Sequence, residues 1–298
     1  MEQFTFDESP TLAEYRIVAV GVGGSGSNIV NYMLNEKSLG IELIIANTDE
    51  QDNYDGLRRT FERADIVFVV GGLGGRAGID SATLIAKIAK EVGALTIGIV
   101  SKPFHFEGYS RLRIAKQGLE MLKSECDSVV IIANDMIPNI DVNHPLNEGF
   151  KIIDGIFARV INGISGVIVA NGENDINLDI VDLQTIMSHQ GIALAGVGES
   201  QGEKAAYEAI ISAVEFAKND NLSIKDASGV LVHFTMHPDF HFMKLSEAMD
   251  FIHNSINESA DVIFGTTTDE NLPIDFIRVT LIATGCEKIA MLAANNVY

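Results

Sequence analysis

Five short runs dense in valine and isoleucine alternate with helix-period patterns along the first half of the chain. They are RIVAVGV (16–22), IELIIANT (41–48), ADIVFVVGG (64–72), ALTIGIVSKP (94–103) and DSVVIIAND (127–135). Runs that are apolar at odd and even positions alike suit strands buried on both faces, as in a parallel sheet covered by helices. Between them come a helix reaching about Lys37, the amphipathic stretch SATLIAKIAKEVG (81–93) and a helix around RLRIAKQGLEMLKSE (111–125). This alternation predicts an α/β fold, with a doubly wound parallel sheet over 1–146. Residues 147–170 keep apolar positions at helical spacing with no proline, which predicts a long, largely buried central helix; with the polar loop after it, this connector occupies 147–176. A smaller α/β domain is expected over 177–298, with strands GVLVHFTM (229–236), ADVIFGTTT (260–268) and FIRVTLIATG (276–285) and helices over 203–218 and 244–257.

The formal net charge of -20 argues against a nucleic-acid backbone as partner, which would call for basic patches. No uninterrupted apolar run approaches the length of a membrane span, so direct membrane insertion is not expected. The N-terminal MEQFTFDESP has neither the basic region nor the apolar core of a signal peptide. Cys126 and Cys286 stand far apart and form no metal-type pair, as suits a reducing compartment. The expected location is cytoplasmic.

Two glycine-rich turns, GVGGSGSN (21–28) and GGLGGRAGID (71–80), each follow a strand and precede a helix. Such a turn exposes backbone N–H groups at the positive end of a helix and makes an anion site, usually for phosphate. Gly21, Gly23 and Gly26 match the spacing of a dinucleotide fingerprint, and Asp49 could serve as the ribose acid of an NAD site. Two turns on neighbouring strands point instead to a nucleotide held from both sides.

The strings GVGGSGSNIVN, ANTDEQ, ADIVFVVGGLGG, SKPFHFEGYSR, ND at 134–135 and NLDIVDLQTIMSHQGIALAGVG occur in that order. Together they resemble the motif set of the FtsZ branch of the tubulin/FtsZ family of GTP-driven filament proteins, from about residue 15 to Gly285. The resemblance implies that Gly21–Asn28, including Gly23, Gly24 and Ser25, form the first phosphate loop. Gly74, Gly75 and Arg76 fall in the second. Asn47, Thr48 and Asp49 would line the site near the phosphates, Glu107 and Arg111 would hold the ribose, and Asn134 would contact guanine. Phe150 matches a residue that stacks on the base. Asp154, one helical turn on, matches a carboxylate that pairs with guanine N1 and N2. Asn177, Asp179 and Asp182 match a loop that completes the nucleotide site of the next subunit, where acids can polarise the attacking water. The implied ligand is GTP or GDP, with Mg2+ only if a triphosphate binds. The implied partner is a second copy stacked head to tail, or a true FtsZ.

Two features depart from the family pattern. The second turn reads GGRAGID where the family has GGGTGTG. Arg76 brings a long side chain to a place where backbone should approach phosphate. Asp80 is expected to cap a helix starting at Ser81, occupying with negative charge the donors a phosphate would use. Arg76 could bind an anion by its own fork. Only Asp52–Arg63 separates ANTDEQ from ADIVF, and no counterpart of the family's glycine-rich loop over the γ-phosphate occurs there. The expectation is an FtsZ-like filament protein with a partly retained guanine-nucleotide site and weak or lost GTP hydrolysis. An active GTP-hydrolysing cell-division protein, a non-polymerising regulator of FtsZ filaments and a Rossmann-type NAD enzyme are the alternatives.

His233, His237 and His241 recur every fourth residue. GVLVHFTM reads as a strand and Pro238 interrupts any helix, so no metal-binding face is expected of them.

Overall fold

The structure is a computed structural model that describes residues 15–36, 40–46, 54–133, 145–169, 175–189, 191–218 and 222–286. The chain forms two compact units that divide between Ala158 and Arg159.

In the first unit, β1 (Ile17–Val22), β2 (Ile41–Ala46), β3 (Ile66–Gly72), β4 (Leu95–Lys102) and β5 (Ser128–Ala133) form a parallel sheet in the order β2-β1-β3-β4-β5. Every residue of β1 is buried, as its uninterrupted apolar run requires. Helix α1 (Gly23–Asn35) packs on β1, β2 and β3, α3 (Arg76–Glu91) on β3 and β4, and α4 (Tyr109–Glu125) on β4 and β5. A short helix, α2 (Tyr54–Phe61), lies between β2 and β3 and is fixed by the fully buried Phe61.

Because β2 lies on one side of β1 and β3 on the other, the winding direction reverses between β1 and β3. Right-handed crossovers then send α1 and α3 to opposite faces of the sheet. A crevice opens at the carboxyl ends of the two strands, the usual ligand position in open α/β sheets. Both glycine turns sit there.

Helix α5 (Leu146–Val169) runs across the division between the units. Its stretch Glu148–Val169 has a mean hydropathy of 1.7, enough by length and composition to cross a membrane, yet 67% of its most apolar window is buried inside the protein. Burial of that kind is what a core helix shows.

In the second unit, β6 (Ile192–Gln201), β7 (Gly229–Met236), β8 (Asp261–Thr268) and β9 (Phe276–Thr284) form a mixed sheet in the order β6-β9-β7-β8. β9 runs antiparallel to β6 and β7, and β7 runs parallel to β8. Helix α6 (Ile180–Met187) packs near β7 and β8, α7 (Ala205–Ala217) covers β6 and β9, and α8 (Met243–Ser255) packs on α7. Strand β6 was not expected from its sequence. Its glycines admit α7: a Cβ on Gly196 would lie 2.0 Å from the Ala213 carbonyl oxygen, and one on Gly198 2.1 Å from that of Ala209.

Candidate functional site

The first glycine turn is shaped by packing as much as by any ligand. A Cβ on Gly21 would lie 2.3 Å from the Gly26 carbonyl oxygen, and one on Gly26 would lie 2.3 Å from that of Val70. These two glycines therefore let α1 start directly on top of β1 and β3. Gly24 has no atom within 4 Å of its missing Cβ and is exposed together with Ser25 and Asn28. Among the described residues no side chain caps α1, so its first turn keeps the N–H groups that attract anions at a helix start.

The second turn lies alongside. A Cβ on Gly23 would be 3.8 Å from the Gly78 Cα, and one on Gly72 would be 3.3 Å from the Ser25 Cβ. Gly74, Gly75 and Gly78 face open space.

Here the expected helix start is corrected. α3 begins at Arg76, with Gly75 in extended conformation before it and no side-chain cap. Asp80 is not the N-cap. It sits inside the helix, exposed, and does not cap the first-turn donors. The cause is tertiary: Ile79 is buried and packs against α4 at Gly118, where a Cβ would lie 2.4 Å from the Ile79 Cδ1. That contact draws residues 76–80 into the helix despite the local capping signal of Asp80. Arg76 becomes the first helical residue and is exposed.

Beyond the end of β4, His105–Glu107 form a 3-10 turn, and Gly108, at φ 93, leads into α4. The Glu107 carboxylate accepts from the Phe104 N–H at 2.8 Å and pairs with the Arg111 guanidinium one helical turn on. The structure thus brings Glu107 and Arg111 together. It also shows two strongly exposed rings beside them, Phe106 at 79% and Tyr109 at 92%, with Phe106 stacked on Phe104 at 4.8 Å between centroids. Neither ring was singled out from the sequence. Their signal was four aromatic or histidine residues within PFHFEGY, a density that a surface turn does not need.

On α5, Phe150 is exposed at 48% and Asp154 is half-buried. This part of the helix lies beside α1, since a Cβ on Gly155 would be 3.1 Å from the Tyr32 hydroxyl. Burial pushes the Asp154 carboxyl up to about 6. A carboxylate taken partly out of water gains from hydrogen-bond donors.

Asn47, Thr48, Asp49 and Asn134 lie outside the described residues. Asn177, Asp179 and Asp182 belong to the second unit and are all exposed. Asp179 caps α6, accepting from the Val181 N–H at 3.2 Å, and Asp182 lies in the first turn of that helix. His233 lies in β7, buried, with Nε2 2.9 Å from the Thr267 hydroxyl; burial pushes its pKa down to about 4, opposed in part by the Asp175 carboxylate. His237 accepts from the Asp239 N–H at 3.0 Å. Cys126 and Cys286 are buried and unbridged, and burial pushes the Cys126 thiol up to about 12.

Two family models match the chain: the GTPase domain of the Tubulin/FtsZ family over residues 43–141, and the C-terminal domain of the FtsZ family over 191–287. The cell division protein FtsZ of Helicobacter pylori strain J99 is 36% identical over an alignment covering 94% of this chain and 82% of that protein. That alignment runs to 316 positions against 298 residues here, so the relative carries residues that this chain lacks. Among solved structures, an empty FtsZ dimer of M. jannaschii is 30% identical with a TM-score of 0.83, covering 92% of this chain and 89% of that one. CetZ2 from Haloferax volcanii, solved as a GTPγS-bound protofilament, shares the fold with a TM-score of 0.73 at 17% identity, over 94% of this chain and 97% of that one.

Proposed function

This chain belongs to the tubulin/FtsZ family, as an FtsZ-like member, and from that premise we propose that it is a cytoplasmic filament protein which binds GDP or GTP in the crevice between α1 and α3 and hydrolyses GTP weakly or not at all. The diphosphate would rest on the uncapped ends of both helices, with Arg76 adding a guanidinium at the rim. Glu107 and Arg111 would take the ribose, Phe150 would stack on the base, and Asp154 would accept from guanine N1–H and N2–H. A carboxylate in that place favours guanine over adenine, because adenine would leave it facing an acceptor.

The observation that carries the proposal is the short link from β2 to β3. Between Ala46 and Ile66 the described residues hold α2 and neither a strand nor a glycine-rich loop. No described segment is therefore placed there to close over a γ-phosphate or to pass its presence to an interface. Among the described residues no group of three His, Cys, Asp or Glu side chains could hold a metal, so Mg2+ would be held chiefly by phosphate oxygens and water. Its chemistry there would be to neutralise charge on a bound triphosphate.

Self-assembly follows from the complementary ends. Asn177, Asp179 and Asp182 would complete the nucleotide site of the next copy, and a head-to-tail contact that does not close gives filaments. The FtsZ dimer and CetZ2 protofilament among its structural relatives support this reading. A mixed filament with a true FtsZ would use the same ends.

Calorimetry with GDP and GTP, with and without Mg2+, tests the site, together with turnover measured beside the H. pylori FtsZ. The expected result is affinities for GDP and GTP within about threefold of each other, since the terminal phosphoryl group finds no dedicated cover. Turnover equal to that of the relative refutes the proposal. It would favour a second reading, supported by the position of Arg76 at the start of α3, in which that guanidinium replaces the missing phosphate donors.

A further inference from the structure

The acids of the second unit stand on a segment that is tied down in an unusual way. Asp175 and Ile176 are hydrogen-bonded to β8, the last strand in the order of the sheet. The Thr266 N–H donates to the Ile176 carbonyl at 3.1 Å, and the Ile176 N–H donates to the Thr266 hydroxyl oxygen at 2.8 Å. Two residues on, the Thr268 N–H and hydroxyl both donate to one oxygen of Asp175, at 2.8 Å and 2.9 Å. From the other side, the Leu178 N–H donates to the Val167 carbonyl of α5 at 2.7 Å. Gly265 permits the close approach, since a Cβ there would lie 3.1 Å from the Ile176 carbonyl oxygen.

The consequence is a division of labour along the segment. Asp175, Ile176 and Leu178 are partly buried and engaged with β8 or α5, whereas Asn177 and Asp179 are exposed. Fixing Asp175 and Ile176 on β8 and Leu178 on α5 holds both ends of this short run, and so restricts where the exposed Asn177 and Asp179 stand and where α6 starts. The bonds to Asp175 are charge-assisted and stronger than neutral ones.

We infer that Asp175 is a positioning residue: with Thr266 and Thr268 it seats the 177–182 loop in the orientation that reaches the nucleotide site of the next copy. The inference rests on the reading above that this loop acts in trans. It assigns Asp175 no contact with the nucleotide. Of the acids in this stretch, Asp175 acts inward and Asp179 and Asp182 act outward.

The test compares Asp175→Ala, Asp175→Asn and Thr268→Val in the full chain. Hydrogen exchange at the Ile176 and Thr268 amides reports the seat, light scattering reports assembly, and GDP calorimetry reports the nucleotide site in the other unit. Asp175→Ala should speed exchange at the Thr268 amide and raise the critical concentration for assembly, each by about tenfold, from the loss of two hydrogen bonds to a charged acceptor. Asp175→Asn keeps an acceptor oxygen and should restore both to within about threefold of the parent. Thr268→Val loses one bond of the two and should fall between. GDP affinity should be unchanged in all three, which separates loss of the seat from loss of the fold. Unchanged exchange or unchanged assembly in Asp175→Ala overturns the inference. Asp179→Ala and Asp182→Ala then tell the two failures apart. If they impair assembly, only the anchoring role of Asp175 is wrong; if they assemble like the parent, or the parent does not assemble, the trans reading of the loop falls as well.

Discussion

If Asp154 meets guanine as proposed, its raised carboxyl gives binding a pH dependence that a variant at this position lacks. In the free protein its carboxyl is pushed up to about 6 by burial, so near pH 5.5 it is mostly protonated. Only the ionised form can accept from both guanine donors, so binding must expel the proton. At pH 5 about one molecule in eleven carries the carboxylate, and affinity should be roughly tenfold weaker than at pH 7.5, about 1.4 kcal/mol. The ligand phosphates also titrate in this range, so the informative quantity is the difference between the parent and Asp154→Asn. The parent should show the extra pH slope below 6 and release an extra proton, seen as a dependence of binding enthalpy on buffer ionisation. The variant should bind more weakly at pH 7.5 and lack both effects. Free-protein stability should move the other way. The folded chain holds this proton more tightly than the unfolded chain, so stability declines as pH rises from the ordinary 3.8 towards 6. A two-unit displacement is worth about 3 kcal/mol for a fully buried group, and solvent around the half-exposed Asp154 cuts this to about 1 kcal/mol. Identical pH profiles in parent and variant would show that Asp154 does not meet the base.

Two further perturbations follow from packing and charge. Gly26→Ala places a Cβ 2.3 Å from a backbone carbonyl of β3 and should cost about 3 kcal/mol or more in urea unfolding, whereas Gly24→Ala, facing open space in a helix, should be neutral or stabilising by up to about 1 kcal/mol. Equal effects of the two would refute the close-packing account of the first turn. His233, buried neutral with its pKa pushed down to about 4, takes up a proton more readily in the unfolded chain, so stability should fall by up to about 3 kcal/mol as pH drops from 6.5 to 4. A His233→Gln variant should show a shallower acid slope in the same unfolding assay, and an unchanged slope would remove His233 as its source.

What the amino-acid sequence determined by itself was whatever depends on local pattern. β1, β3, β4 and β5 are valine and isoleucine runs whose burial on both faces needs no partner to be named, and the period of 147–170 matches α5 to within a residue at each end. The nearness of Glu107 to Arg111 could be expected from their four-residue separation, and the ion pair between them bears that out, whereas the roles given to Phe150 and Asp154 came from the resemblance. The tertiary structure decided whatever depends on a neighbour distant in the chain. β6 carries two glycines that weaken it as a strand in isolation, and only the backbone of α7 pressing on Gly196 and Gly198 makes them necessary. Asp80 has every local mark of a helix cap, yet Ile79 seated against Gly118 goes with a helix start at Arg76, which takes Asp80 out of the capping position. Asp175 looks like one more acid in a polar loop until Thr268, far along the chain, donates two hydrogen bonds to it. Periodicity encodes which face of an element is buried; it carries no record of which element covers that face, and that is where the geometry of this site is set.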